Sequence, residues 1–82
     1  MDRTGITFST IAERVGWNLR IARRRAGLTQ DELAERMGND QSGISAWESG
    51  RYLPRVESIV RLAEVLEIDP GELLRETQGL AS

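Results

Sequence analysis

An all-α domain of five short helices is the fold this sequence predicts, and three observations predict it. Apolar residues recur at three- and four-residue spacing, which is the period of a helix and not that of a strand. Where such runs begin, Thr or Asp stands three positions ahead of Glu, the pattern of a reciprocal N-terminal cap. Where three of them end there is a glycine, the residue that turns left-handed most readily.

The elements follow in order. The first helix runs from about Thr10 to Ala26, with Thr10 and Glu13 as its capping box. Phe8, Ile11, Val15, Leu19, Ala22 and Ala26 form its inner stripe, and Gly27 stops it. The second opens on Thr29 and Glu32, turns Leu33, Ala34 and Met37 inward, and stops at Gly38. The third runs from about Gln41 to Ser49, with Asp40 as N-cap, Ile44 and Trp47 as its buried pair and Gly50 as its stop. Pro54 makes "RYLPR" a bend, because the residue before proline avoids the helical conformation. A fourth helix spans about Val56 to Leu66, with Val56, Ile59, Val60 and Ala63 inward. In "IDPGELL", Asp69 caps a fifth helix, Pro70 takes its first position and Glu72 returns the cap bond; the helix frays near Thr77. The chain therefore divides into an N-terminal segment, 1–9, a helical domain, 10–76, and a flexible C-terminal tail, 77–82.

Eighty-two residues allow one thin core. The chain has no Cys and no His, which removes thiolate chemistry, disulfides, the commonest general base and the commonest metal ligand. An enzyme is not expected, nor is a metal or any other cofactor. No apolar run approaches the roughly 20 residues that span a bilayer, and "MDRTGITFST" lacks a signal-peptide core, so the expectation is a soluble, cytoplasmic protein without membrane contact. Charge is unevenly spread. Residues 1–28 carry six Arg against Asp2 and Glu13, whereas residues 29–82 carry five Arg against eleven acids. That division gives a basic and an acidic face, not a general affinity for polyanions. Every basic residue is Arg, the better fork for phosphate and guanine, although biased codon usage gives the same pattern.

The informative constellation lies between Gln30 and Trp47. Ala34 is small where another helix crosses, Gly38 turns the chain, and Ile44 and Trp47 plug the third helix onto the first two. Two helices at a steep angle joined by a short turn result, with the second projecting. Here "RRRAGLTQDELAERMG", "ISAWESGRYLP" and "LAEVLEIDPGELL" resemble, in register, the helix-turn-helix domain of the phage Cro and lambda-repressor group, the XRE-like family. The resemblance covers about Val15 to Leu74. It implies a lambda-repressor-like five-helix fold and a sequence-specific transcriptional regulator, a repressor more than an activator. Such a protein binds a palindromic operator in double-stranded DNA as a homodimer, with the third helix in the major groove.

The resemblance also implies roles. Gln30 would bond a phosphate and brace the reading residues; Gln41 would take adenine N6 and N7; Ser42, Ser45 and Ala46 would face bases. Arg51 would clamp phosphate, and Arg55 would reach the backbone or a minor groove. Arg23 and Glu48 would form an ion pair between the first and third helices. The sequence departs from the family's pattern at Asn39, where an apolar residue is usual, at Gly43 inside the reading helix, and at Arg55, where a Ser-type cap is common.

A second surface is expected where Trp17 and Ile21 leave the inner stripe among Arg14, Arg20 and Arg24. Either the N-terminal segment folds over them through Ile6, or they touch another protein chain. The fifth-helix region, with Ile68, Leu73, Leu74 and Leu80, is the competing dimer seam, and the resemblance favours it. No small-molecule ligand is expected; regulation would come from concentration, turnover or a regulatory protein partner. A phage-type repressor, a restriction-modification controller and an antitoxin-like autoregulator all suit the chain. The rival reading is a protein-interaction module on the same fold with weak or lost DNA binding, which the acidic balance and the uncharged reading helix support.

Overall fold

Capping chemistry sets the helix boundaries in the computed structural model, which describes residues 8–76. The helices are α1 (Ile11–Arg25), α2 (Gln30–Met37), α3 (Gln41–Glu48), α4 (Val56–Leu66) and α5 (Pro70–Leu74), and no strand occurs among the described residues. Thr29 and Glu32 close the full capping box of α2. At α1 the Thr10 hydroxyl accepts the Glu13 amide at 3.0 Å, but the Glu13 carboxylate returns to the amide of Ser9, one residue earlier than expected. At α5 the Asp69 carboxylate accepts from Gly71, not Glu72, and the helix ends at Leu74. The expected fraying at Thr77 and the tail 77–82 lie outside the described residues, as do Ile6 and Leu80.

Four helices end with the same closure, an amide bonding back to a carbonyl five residues earlier. The donors are Leu28, Asn39, Arg51 and Ile68. Gly27, Gly38 and Gly50 supply the left-handed residue in three of them, and Glu67, at φ 60°, supplies it after α4. The end of α5 is held differently, by side chains of α1. Arg14 donates to the carbonyl of Leu74, and Asn18 donates to those of Leu73 and Arg75. Arg14 is therefore a clamp on α5 and not a flank of a free surface.

The core gathers Leu19, Leu33, Ala34, Ile44, Ile59, Leu62, Leu66 and Leu73, with Leu28, Met37, Trp47 and Ile68 packed against it. Each fully buried Leu or Ile contributes about 1.5–3 kcal/mol of transfer free energy. α1 packs on α3 and α5, α2 on α3 and α4, and α4 on α5. The α1–α3 crossing is a backbone approach: a Cβ on Gly16 would lie 2.3 Å from the Trp47 carbonyl oxygen. Gly50 also lies close to Glu13, where a Cβ would meet Cα at 2.8 Å.

The faces of α1 and α4 are corrected. Ile11 and Ala26 are exposed, and Phe8 packs on Trp17 with ring centroids 6.1 Å apart instead of joining the core stripe. In α4, Val56 is 74% and Val60 42% exposed, while Leu62 and Leu66 are buried beside Ile59 and Ala63. In α3, Trp47 is half-buried, and the residue fully withdrawn with Ile44 is Glu48. No helix among the described residues is long and apolar enough to cross a membrane.

Candidate nucleic-acid interface

α2, the turn 38–40 and α3 form the helix-turn-helix, and local chemistry fixes its geometry. Gly38 at φ 75° reverses the chain, and the Asn39 amide closes onto Ala34 at 2.9 Å. Asn39 itself is exposed, so no core contact depends on its side chain. Asp40 Oδ1 accepts from the Gly43 amide at 3.1 Å and from the Ser42 hydroxyl at 2.9 Å. The Ser42 bond first, and the Gly43 amide second, hold the Asp40 carboxyl below the usual carboxylate range. A carboxylate at the helix N-terminus also meets the positive end of the helix dipole.

Behind α3 lies a buried charge pair. Glu48 takes two bonds from Arg23, 2.6 Å from Nε and 3.0 Å from Nη2, and both residues are buried. The bond to Glu48 raises Arg23 above its ordinary value, against the opposing effect of burial, and the carboxylate's charge adds to the rise. Arg23 Nη1 also donates to the Leu28 carbonyl at 2.7 Å, so one guanidinium ties α1, the α1–α2 loop and α3 together. Removing one partner of such a pair costs about 3–5 kcal/mol, because the other charge is left buried and alone.

Glu48 also reaches forward. Its Oε1 accepts from Gln30 Nε2 at 3.0 Å and lies 3.7 Å from Arg20 Nε. Gln30 Oε1 in turn accepts from Gln41 Nε2. The sequence reading missed Arg20 and the Gln30–Glu48 bond. Arg20 was within reach of it, since it precedes Arg23 by three residues and so shares its helix face.

The remaining expected site residues fall in one region of chain. Gln41 and Ser42 are exposed on the first turn of α3, and Ser45 and Ala46 are half-buried one turn on. Arg51 and Arg55 are exposed in the segment after α3, beside Tyr52 at 62% exposure. Arg55 occupies the N-cap of α4 and makes no side-chain cap bond. A Cβ at Gly43 would meet only Asp40 and Asn39 side-chain atoms, at 3.6 and 3.8 Å, so the fold does not demand glycine there.

The second surface changes character. Trp17 and Ile21 are half-buried, and the Phe8 ring packs at a tilt against the indole. Leu73 is fully buried in the core and is unavailable to any partner, whereas Leu74 is 44% exposed. Among the described residues, less of each seam is open than expected. Val56 and Val60, expected on the inner face of α4, are open instead, and Leu53 in the bend before them is exposed as well.

Comparison with known proteins agrees with this geometry. The family described as Helix-turn-helix matches residues 19–73. An uncharacterized HTH-type transcriptional regulator of Sinorhizobium fredii is 40% identical over 63 residues, covering 77% of this chain and 82% of that protein. The restriction-modification controller protein C.AhdI of Aeromonas hydrophila superimposes with a TM-score of 0.72 at 35% identity, over 76% of this chain and 94% of that one. The P22 c2 repressor, solved in complex with a synthetic operator, gives a TM-score of 0.69 at 28% identity, over 74% of this chain and 92% of that one. These are regulators and not enzymes. The chain belongs to the XRE-like helix-turn-helix family of DNA-binding transcriptional regulators.

Proposed function

We infer that this protein is a sequence-specific repressor that binds a palindromic operator as a homodimer, with α3 of each copy in the major groove. The observation that carries this reading is the state of Gln41. It is the first residue of α3, its side chain is exposed, and its amide is held in place by Gln30. A long polar side chain fixed at the start of a projecting helix suits recognition of a base edge. Ser42, Ser45 and Ala46 offer short neighbours that let the helix approach. Arg51 and Arg55 supply the cations that α3 lacks, and α3 amides at its N-terminus add further phosphate donors.

The homodimer draws support from exposed apolar side chains away from α3. Val56 and Val60 are one turn apart on α4, and Leu74 ends α5. A two-fold pair would set its reading helices about 34 Å apart, one turn of the duplex. Similarity to the P22 c2 repressor and to a restriction-modification controller protein supports a repressor or controller role.

Selection of bound duplexes from a random pool tests the reading. The expected product is an inverted repeat bound with affinity that falls steeply with salt. A pool with no enriched sequence and no salt-sensitive binding refutes it and favours a protein-interaction module on the same fold. Light scattering tests the dimer: Val60→Glu and Leu74→Glu should shift the protein toward monomer, and no shift in either would exclude both surfaces.

A further inference from the structure

The bonds behind Gln41 form a relay whose polarity has one solution. Glu48 is buried and gripped by Arg23, so its carboxylate accepts hydrogen bonds and donates none. The end of Gln30 that touches Glu48 must then be its NH2 group. That leaves Gln30 Oε1 facing Gln41, and an oxygen there requires the Gln41 NH2 as donor. Gln41 is left presenting Oε1 and one remaining N–H outward. The order follows from the charge of Glu48 alone.

We propose that Glu48 is a specificity-determining positioning residue: acting through Gln30, it fixes the amide polarity of Gln41 so that α3 favours adenine over guanine at the base pair Gln41 meets. The proposal rests on the DNA-reading role of α3 argued above. Adenine offers an acceptor at N7 and a donor at N6, whereas guanine offers acceptors at both N7 and O6. The braced amide, with one oxygen and one N–H outward, matches adenine. It meets guanine with an oxygen against O6. A Gln41 free to turn would swing its NH2 toward guanine and lose the distinction. The negative charge behind a DNA-facing helix thereby acquires a use. A neutral amide at position 48 could offer either end to Gln30, and the whole relay would then have two polarities.

The test compares base preferences. Random-pool selection with wild type and Gln41→Ala identifies the position Gln41 reads, where wild type should favour adenine over guanine by about tenfold or more. Gln30→Met cuts the relay and leaves the Arg23–Glu48 pair in place. The double change Arg23→Met with Glu48→Gln removes the carboxylate without stranding a buried guanidinium. Both should bring the adenine-to-guanine ratio at that position to within about threefold, with preferences elsewhere kept. If the double variant fails to fold, Arg23→Leu with Glu48→Met, which replaces the buried pair by apolar side chains, takes its place, because Gln30→Met by itself tests only the Gln30–Gln41 link. A uniform loss of affinity with the ratio unchanged gives Glu48 a purely structural role and overturns the proposal. Selection of guanine at that position by wild type overturns it too. In both cases sequence-specific binding stands; a wild-type protein with no preference anywhere defeats the functional reading itself.

Discussion

Replacing Gly43 with alanine separates what the fold needs from what the binding surface needs. Gly43 is the third residue of α3, and glycine inside a helix costs about 0.5–1 kcal/mol relative to alanine. The added methyl would meet Asp40 Oδ1 at 3.6 Å and Asn39 Nδ2 at 3.8 Å, ordinary contact distances that strain nothing. At Gly16 the same methyl would lie 2.3 Å from the Trp47 carbonyl, so the two glycines are kept for different reasons. Gly43→Ala should therefore stabilise the free protein by about 0.5–1 kcal/mol, a rise in Tm of about 2–8 °C for a domain of this size. Urea unfolding should show a higher midpoint with an unchanged slope. Affinity for the selected duplex should fall, because the methyl stands on the exposed start of α3 between Gln41 and Ala46. A drop in stability refutes the packing argument. Unchanged affinity refutes the idea that Gly43 is kept bare for close approach of DNA.

Three further outcomes follow from the same structure. Arg23→Met and Glu48→Gln should each destabilise by about 3–5 kcal/mol, and the double variant by less than their sum; additive costs in a double-mutant cycle would show the pair uncoupled. Asp40 has its folded pKa lowered by Ser42 and Gly43, so its contribution is present above about pH 4 and is lost as pH falls through the folded value. Asp40→Asn should flatten that part of an acid-unfolding profile, and an unchanged profile would contradict the capping role. Glu67 closes α4 at φ 60°, a conformation that strains an L-residue by about 1–2 kcal/mol. Glu67→Gly should raise Tm in calorimetry, and a lower Tm would mean that no strain was stored there.

Helix boundaries were legible because their causes are local. Thr29, Asp40, Gly27, Gly38 and Gly50 each act within a few residues of their own position, and all five stand where the pattern put them. Glu67 was not legible, since nothing in a glutamate announces a left-handed stop. Helix faces were harder. Ile11 and Val56 fit the helical period but are the first residues of their helices, while Val60 lies off the stripe that Ile59, Leu62, Ala63 and Leu66 turn inward. Leu62 and Leu66 took the places assigned to Val56 and Val60. Leu73 looked surplus to a thin core and is instead a fully buried part of it. The Arg23–Glu48 pair spans 25 residues, and only the family resemblance pointed to it. The Gln30–Glu48 bond lay beyond both routes, because it depends on where α2 and α3 meet in space.

α3, the helix proposed to read DNA, is neutral apart from the buried Glu48, and the carboxylate at its start opposes polyanions, so that proposal requires affinity and discrimination to come from different residues. Arg51 and Arg55 are exposed just beyond α3 and can displace counterions from phosphate; Gln41 is uncharged and cannot. Each neutralised phosphate steepens the dependence of log affinity on log salt by about 0.9. Arg51→Ala removes one contact from each copy of the proposed dimer, so it should reduce that slope by about 2 and weaken every duplex alike. Gln41→Ala should leave the slope unchanged and cost about 1–3 kcal/mol at one base pair. The two variants thus move different observables, and measuring both on the selected duplex and on random DNA separates the roles. A reduced slope in Gln41→Ala, or a loss confined to one base pair in Arg51→Ala, would mean that charge and recognition are not divided between α3 and its flanks. The neutrality of "QSGISAW" would then need another explanation, and α3 would lose its assignment as the reading helix.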